Sequence, residues 1–294
     1  MPARRVTVLG GSGFLGKAVS RELAEQGFEV RIACRNPARV SVGLSSRVEL
    51  VTCDIRNEDD VTRALTGADA AVNAVSLYVE KESLTFEEIH VVGAGRIARC
   101  ARECGVGRLV QLSGIGASEA SPSSYVRARA RGERVVAERF PDAIILRPSV
   151  LCDRDAGFVD ALRLVSRLPV VPLFGKGQTR LQPVYVADVA AGVRGAISLA
   201  DTAGKCFELG GATVYTYREA VELVLRHEHR SRPFLPLPFP VWHGIAAVLG
   251  LLPNPPLNRD QVFLMEEDNV VNPEFPGFAD LGVEPVDLET LLRA

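Results

Sequence analysis

Residues 5–27 narrow the fold of this chain more than any other stretch. An apolar run, Arg5-Val6-Thr7-Val8-Leu9, leads into Gly10-Gly11-Ser12-Gly13-Phe14-Leu15-Gly16, and an amphipathic run follows to Gly27. That order predicts a strand, a tight turn and a helix. Glycines let the backbone turn sharply and leave no Cβ between it and a ligand, while the helix N-terminus offers free N–H groups and a partial positive charge. A dinucleotide pyrophosphate needs this geometry, so Gly10, Ser12, Gly13, Phe14, Leu15 and Gly16 are candidate cofactor contacts. The spacing Gly10-x-x-Gly13-x-x-Gly16 differs from the G-x-G-x-x-G of most two-domain dehydrogenases.

The same alternation continues through the first half. Apolar runs predict strands near 6–9, 29–33, 48–52, 70–74, 108–112 and 143–146, and helical patterns fall near 14–25, 58–65, 86–103 and 123–139. Such a series predicts an α/β fold: a doubly wound parallel sheet of Rossmann type, with the ligand crevice at the carboxyl ends of the strands. The predicted core is 1–150, with strands continuing into 180–210, and 151–294 reads as a smaller C-terminal lobe facing a substrate or a partner. Within the lobe, helices are expected at 158–166, 188–199 and 217–226. The apolar stretch 241–252 is too short for a bilayer, which takes about 20 residues. A buried helix is the expectation there, with a membrane-interface or partner-docking helix as the alternative.

Composition restricts the function classes. A net charge of -2 over 294 residues gives no signal for nucleic acid. The six cysteines form no C-x-x-C pair, and Cys100 and Cys104 suit helix packing; a reducing cytoplasm is expected. The four histidines show no metal-ligand grouping, His227 and His229 being expected on different faces of one helix. No transmembrane span is expected. All but four of the 34 basic residues are arginine.

Arg35 follows the second predicted strand, where an acidic residue would accept from a free ribose 2′-hydroxyl and an arginine would pair with a 2′-phosphate. No Asp or Glu occupies 34–36, so NADP(H) is favoured over NAD(H); Arg39 is a second candidate for the phosphate.

Gly10–Gly16, Ser123–Glu133 (SSYVRARARGE), Ile145–Val150, Gly175–Asp188 (GKGQTRLQPVYVAD) and Pro253–Asn269 (PNPPLNRDQVFLMEEDN) carry a resemblance across nearly the whole chain. The sequence resembles the extended and atypical short-chain dehydrogenases/reductases. Within them it is similar to the family of the nucleotide-binding accessory subunit of respiratory complex I (alpha-subcomplex subunit nine) and its bacterial relatives. That resemblance implies adenine contacts at Asp54 and Ile55, close backbone approach to the adenine ribose at Ala74, Val75 and Ser76, and Pro148 against the nicotinamide.

It also implies a catalytic tyrosine at Tyr125, with a lysine four residues on to lower its pKa. Arg129 stands in the lysine position. Ser113 is the candidate serine, but Gly114 stands where active relatives often place the catalytic hydroxyl, and Ser118 is the substitute. Asp188 suits a helix cap or a network carboxylate. The implied function is NADP(H) binding with weak or no turnover and a stabilising or assembly role linked to respiratory or quinone metabolism, with a respiratory-complex or other protein as partner. The alternative is an active NAD(P)H-dependent reductase, dehydrogenase or epimerase on a hydrophobic carbonyl, using Tyr125. The expected location is the cytoplasm, with peripheral contact at the inner face of the membrane admitted.

Overall fold

Strand β1 (Arg5–Leu9) lies inside a sheet of seven parallel strands, and its burial on both faces explains its unbroken apolar character. We describe residues 4–40, 47–81, 83–250, 252 and 257–293 of a computed structural model; the side chain of Arg39 and residues 253–256 lie outside them. On one side of β1 come β2 (Glu29–Cys34) and β3 (Val48–Thr52). On the other come β4 (Ala70–Asn73), β5 (Arg108–Leu112), β6 (Ile144–Pro148) and finally the strand Cys206–Leu209. Val8 is level with Ile32 on β2 and with Val72 on β4. The winding reverses between β1 and β4, which opens the crevice of a doubly wound sheet at the end of β1.

Alternate side chains of each strand feed two apolar layers. On one face, α1 (Phe14–Glu25) and α6 (Val186–Ser198) set Val19, Leu23, Val193 and Ile197 against Val6, Val8 and Ile32. On the other, α2 (Glu58–Leu65), α3 (Ala94–Glu103) and α4 (Ser124–Arg139) bring Val61, Leu65, Ile97 and Val136 onto Leu9, Ala71 and Leu109. A third apolar cluster belongs to the lobe. Leu162 of α5 (Phe158–Ser166), Val221 of α7 (Tyr217–His227) and Leu291 of α10 (Leu288–Arg293) pack on Leu173. Two more helices, α8 (Phe239–Leu249) and α9 (Arg259–Leu264), lead from the lobe back toward the crevice.

Four local expectations are corrected. The helix expected over 86–103 begins with a π-helical segment, Glu87–Gly93, before α3; apolar spacing over seven residues does not separate the two periods. Helix α6 starts at Val186, so Asp188 sits inside its first turn instead of capping it, and its carboxylate accepts from the Val286 N–H at 2.7 Å. His229 lies beyond α7, with a left-handed backbone, and shares no helix face with His227.

Helix α8 is not a buried helix. It buries Trp242 and Ala246 but leaves Val248 67% exposed, because only one of its faces meets Phe174 and α9.

Candidate dinucleotide and substrate site

The glycine turn is fixed by close packing. Gly10 has φ +78°, and a Cβ there would lie 2.8 Å from the Ala74 carbonyl carbon. Its N–H donates to the Ala33 carbonyl at 2.9 Å. A Cβ on Gly16 would come within 2.2 Å of the Gly10 oxygen, so α1 presses directly under the turn. Gly13 caps α1 without a side-chain hydrogen bond, which leaves the first-turn N–H groups available to an anion.

Above the turn opens a cavity of about 1220 Å3, walled at this end by Gly10, Ser12, Gly13, Phe14 and Leu15. Ligand pockets commonly hold roughly 300–1,000 Å3. This one has room for a dinucleotide and a second ligand. Gly16 is not in the wall; its place is beneath the turn.

Arg35 stands exposed at the same end, and its guanidinium has no hydrogen bond or ion pair among the described residues. Asp54 and Ile55 also line the cavity. The Asp54 carboxylate is held by Arg56 at 2.6 Å, and that hydrogen bond keeps its carboxyl below the usual range. The residues preceding Arg35 and Asp54, Cys34 and Cys53, put two thiols in the wall. Burial pushes the Cys53 thiol up to about 12, so it stays protonated and packs as an apolar group. Ala74, Val75 and Ser76 pass along the floor; the Val75 N–H is turned toward Asn73 Oδ1 at 3.2 Å.

The middle of the cavity holds Tyr125, Arg129, Ser113 and Pro148 together. The Tyr125 ring is buried among Tyr78, Phe86 and His90, at centroid distances of 5.6, 5.6 and 5.5 Å. The Arg129 guanidinium covers it at 4.9 Å, and Nη2 donates to Ser76 Oγ at 3.0 Å. Its other nitrogen, Nη1, is 3.4 Å from where a Cβ on Gly114 would sit. The guanidinium therefore fills space that a smaller group at 129 and a side chain at 114 would share.

Burial pushes the Tyr125 phenol upward, and the nearby Arg129 charge opposes that shift without cancelling it. His90 is lowered to about 4, by burial and then by Arg129, so its neutral ring can donate from Nε2 to the Leu77 carbonyl at 3.0 Å. Ser113 Oγ and Arg129 Nε are buried with no hydrogen-bond partner. Buried polar atoms of this kind are normally satisfied, and here both belong to residues of the cavity lining. Together with the glycine cradle, these open donors fit a dinucleotide. Ser118 does not join them; it is exposed and accepts from the Ala120 N–H.

Three polar groups escaped the sequence reading. Asp260 of α9 accepts from Ser123 Oγ at 2.6 Å at the N-terminus of α4, just before Tyr125. Asn269 accepts from Ser149 Oγ at 2.6 Å and lines the cavity. Glu133, one α4 turn beyond Arg129, pairs with Arg147 at 2.6 Å, and Glu208 lies 3.6 Å from the same guanidinium. All three lie in the segments Ser123–Glu133 and Pro253–Asn269, whose signal was resemblance, not chemistry.

A protein family described as NAD(P)H-binding matches residues 10–172. The chain is 33% identical to the mitochondrial NADH dehydrogenase [ubiquinone] 1 alpha subcomplex subunit 9 of Rattus norvegicus over 292 residues, which is 96% of this chain and 77% of that protein. It is 29% identical to the ceramide reductase of Caulobacter vibrioides over 187 residues, 63% of this chain and 58% of that one. Among solved structures, a nucleoside-diphosphate-sugar epimerase from Staphylococcus aureus superposes with a TM-score of 0.77 at 16% identity, covering 99% of this chain and 100% of that chain.

Proposed function

Since this chain belongs to the NAD(P)H-binding family and is a relative of the alpha subcomplex subunit 9 proteins, we propose that it holds NADP(H) as a structural ligand, with weak or no turnover. The glycine turn, Asp54, Ile55 and the 74–76 floor would hold the dinucleotide, and Arg35 would meet a 2′-phosphate. Such a cofactor supplies a hydride when it is bound. The observation that carries the reading is the placement of Arg129. Its Nη2 is bonded to Ser76 and the guanidinium lies over the Tyr125 ring, in the position of the implied lysine, and its charge lowers the phenol less than burial raises it. Tyr125 stays above its ordinary pKa, the wrong direction for proton exchange near neutral pH.

The proposed role is to stabilise or help assemble a partner protein of a respiratory or quinone-linked complex, from the cytoplasmic side of the membrane. No helix among the described residues is long and apolar enough to cross a membrane. The test is purification with its nucleotide: NADP(H) should accompany the protein, and carbonyl compounds should oxidise it no faster than buffer does. Robust steady-state turnover would sink the reading.

One observation favours the alternative of an active reductase, dehydrogenase or epimerase. Tyr125 and the partnerless Ser113 hydroxyl share one cavity wall. In that case Tyr125→Phe abolishes turnover and leaves NADPH binding intact, because the phenol would donate the proton to the carbonyl oxygen.

A further inference from the structure

The half of the cavity beyond Pro148 has a different chemistry from the glycine end. Charged side chains in the wall are Arg35, Asp54 and Arg129 among the described residues; Arg35 and Asp54 belong to the glycine end, and Arg129 lies over Tyr125 in the middle. From Val150 to Asn269 the wall is uncharged, built mainly from groups such as Leu162, Val165, Phe174, Trp242, Ile245 and Leu249. A nucleoside diphosphate lying along that wall could meet a cation only at Arg129, beside Tyr125, and phosphates set further out would be buried against hydrocarbon, which is strongly unfavourable. The epimerase-like outline of the fold therefore does not extend to the ligand. The substrate half is built for something neutral and apolar.

The wall also gives the ligand a direction. The polar part of the lining lies near Tyr125, at Ser113, whose neighbour Gly114 lies against Arg129, and at Asn269, whose Nδ2 is 3.5 Å from the Ile115 carbonyl. At the outer end Leu164 and Leu168 belong to the wall and are nonetheless 64% and 43% exposed. Leucines left open in a cavity wall leave apolar area that a hydrocarbon chain would cover, at about 25 cal/mol per Å2.

We propose that this half binds a single-chain neutral amphiphile, its small polar head beside Ser113 and Tyr125 and its hydrocarbon tail running past Trp242 to a mouth between α5 and α8. The assignment rests on the dinucleotide occupying the glycine end. It holds whether or not a hydride is transferred.

Trp242 is the single tryptophan of the chain, and it stacks on Phe174 at 4.2 Å in this wall, so its emission reports the site directly. The experiment titrates the NADPH-loaded protein with straight-chain primary alcohols from hexanol to tetradecanol. Saturable changes in Trp242 emission are expected, with affinity rising about three- to fourfold per methylene until the chain reaches the mouth. Leu164→Glu puts a charge at that mouth on an already exposed position, and it should weaken dodecanol binding by about tenfold or more. A thermal melt of that variant reports its folding, and the wild-type alcohol series stands without it.

Affinity independent of chain length overturns the proposal. So does saturable binding of uridine diphosphate glucose as tight as that of dodecanol. NADPH binding is read separately by its own fluorescence. Loss of that signal would overturn the dinucleotide reading, on which the assignment rests, whereas a flat alcohol series with NADPH bound would overturn the amphiphile site alone.

Discussion

At the residue scale, the proposed separation of binding from turnover rests on Arg129. A lysine in its place would present a mobile ammonium; the arginine presents a planar fork with Nη2 bonded to Ser76 and its carbon 4.9 Å from the Tyr125 ring centroid. Arg35 makes the complementary point at the other end of the cavity. Its guanidinium is exposed and unpaired among the described residues, so Arg35→Ala should cost the protein little stability. The same substitution should weaken NADPH by about tenfold or more while leaving NADH nearly unchanged, because only the phosphate loses a charged hydrogen bond. Titrations with both nucleotides check this; parallel losses would remove Arg35 from the 2′ position.

His90 supplies a pH dependence. Its pKa of about 4 in the fold lies below the ordinary value of 6.5, so the folded protein keeps the ring neutral where the unfolded chain takes a proton. The stability it contributes is full above about pH 6.5 and is lost as pH falls toward 4, by at most about 3 kcal/mol. Urea unfolding across that window should show a shallower loss for His90→Gln than for wild type. Identical slopes would mean that the ring is not held neutral.

The elements around the site show what sequence could and could not supply. Strand and helix positions were legible because burial on two faces writes an unbroken apolar run and helix packing writes a 3.6-residue period. The glycine turn was legible because the crowding that requires glycine lies largely in its own strand–turn–helix unit. By contrast, the Ser123–Asp260 contact joins residues 137 apart, and no local pattern marks it. The π-helical segment was missed because its composition is that of an ordinary amphipathic helix.

The Glu133–Arg147–Glu208 cluster is another long-range feature. It ties α4 to β6 and to the strand Cys206–Leu209, with Glu133 and Glu208 only 7% and 5% exposed. Arg147→Met would leave two buried carboxylates facing each other. Breaking a buried pair in this way typically costs about 3–5 kcal/mol, which chemical denaturation would detect easily. A loss below about 1 kcal/mol would show that solvent or a rearranged neighbour satisfies them, against this account of the packing.

The whole molecule is a cavity with two chemistries. One end is built from strand termini and a helix N-terminus, the common property of a doubly wound sheet, and the sequence announced it. The other end is assembled from α5, α8, α9 and the chain around Asn269, which come together only in three dimensions. For that reason the dinucleotide was readable in advance, while the apolar lobe and its lack of charge were not.

On the proposed reading this protein binds NADP(H) and scarcely turns it over. The most direct measurement is the rate at which NADPH in the purified, loaded protein is oxidised by a panel of apolar aldehydes, ketones and quinones. Oxidation at the buffer rate, with NADPH remaining bound throughout, is the predicted result. Catalytic oxidation over many turnovers by any of these compounds, abolished in Tyr125→Phe, would contradict it.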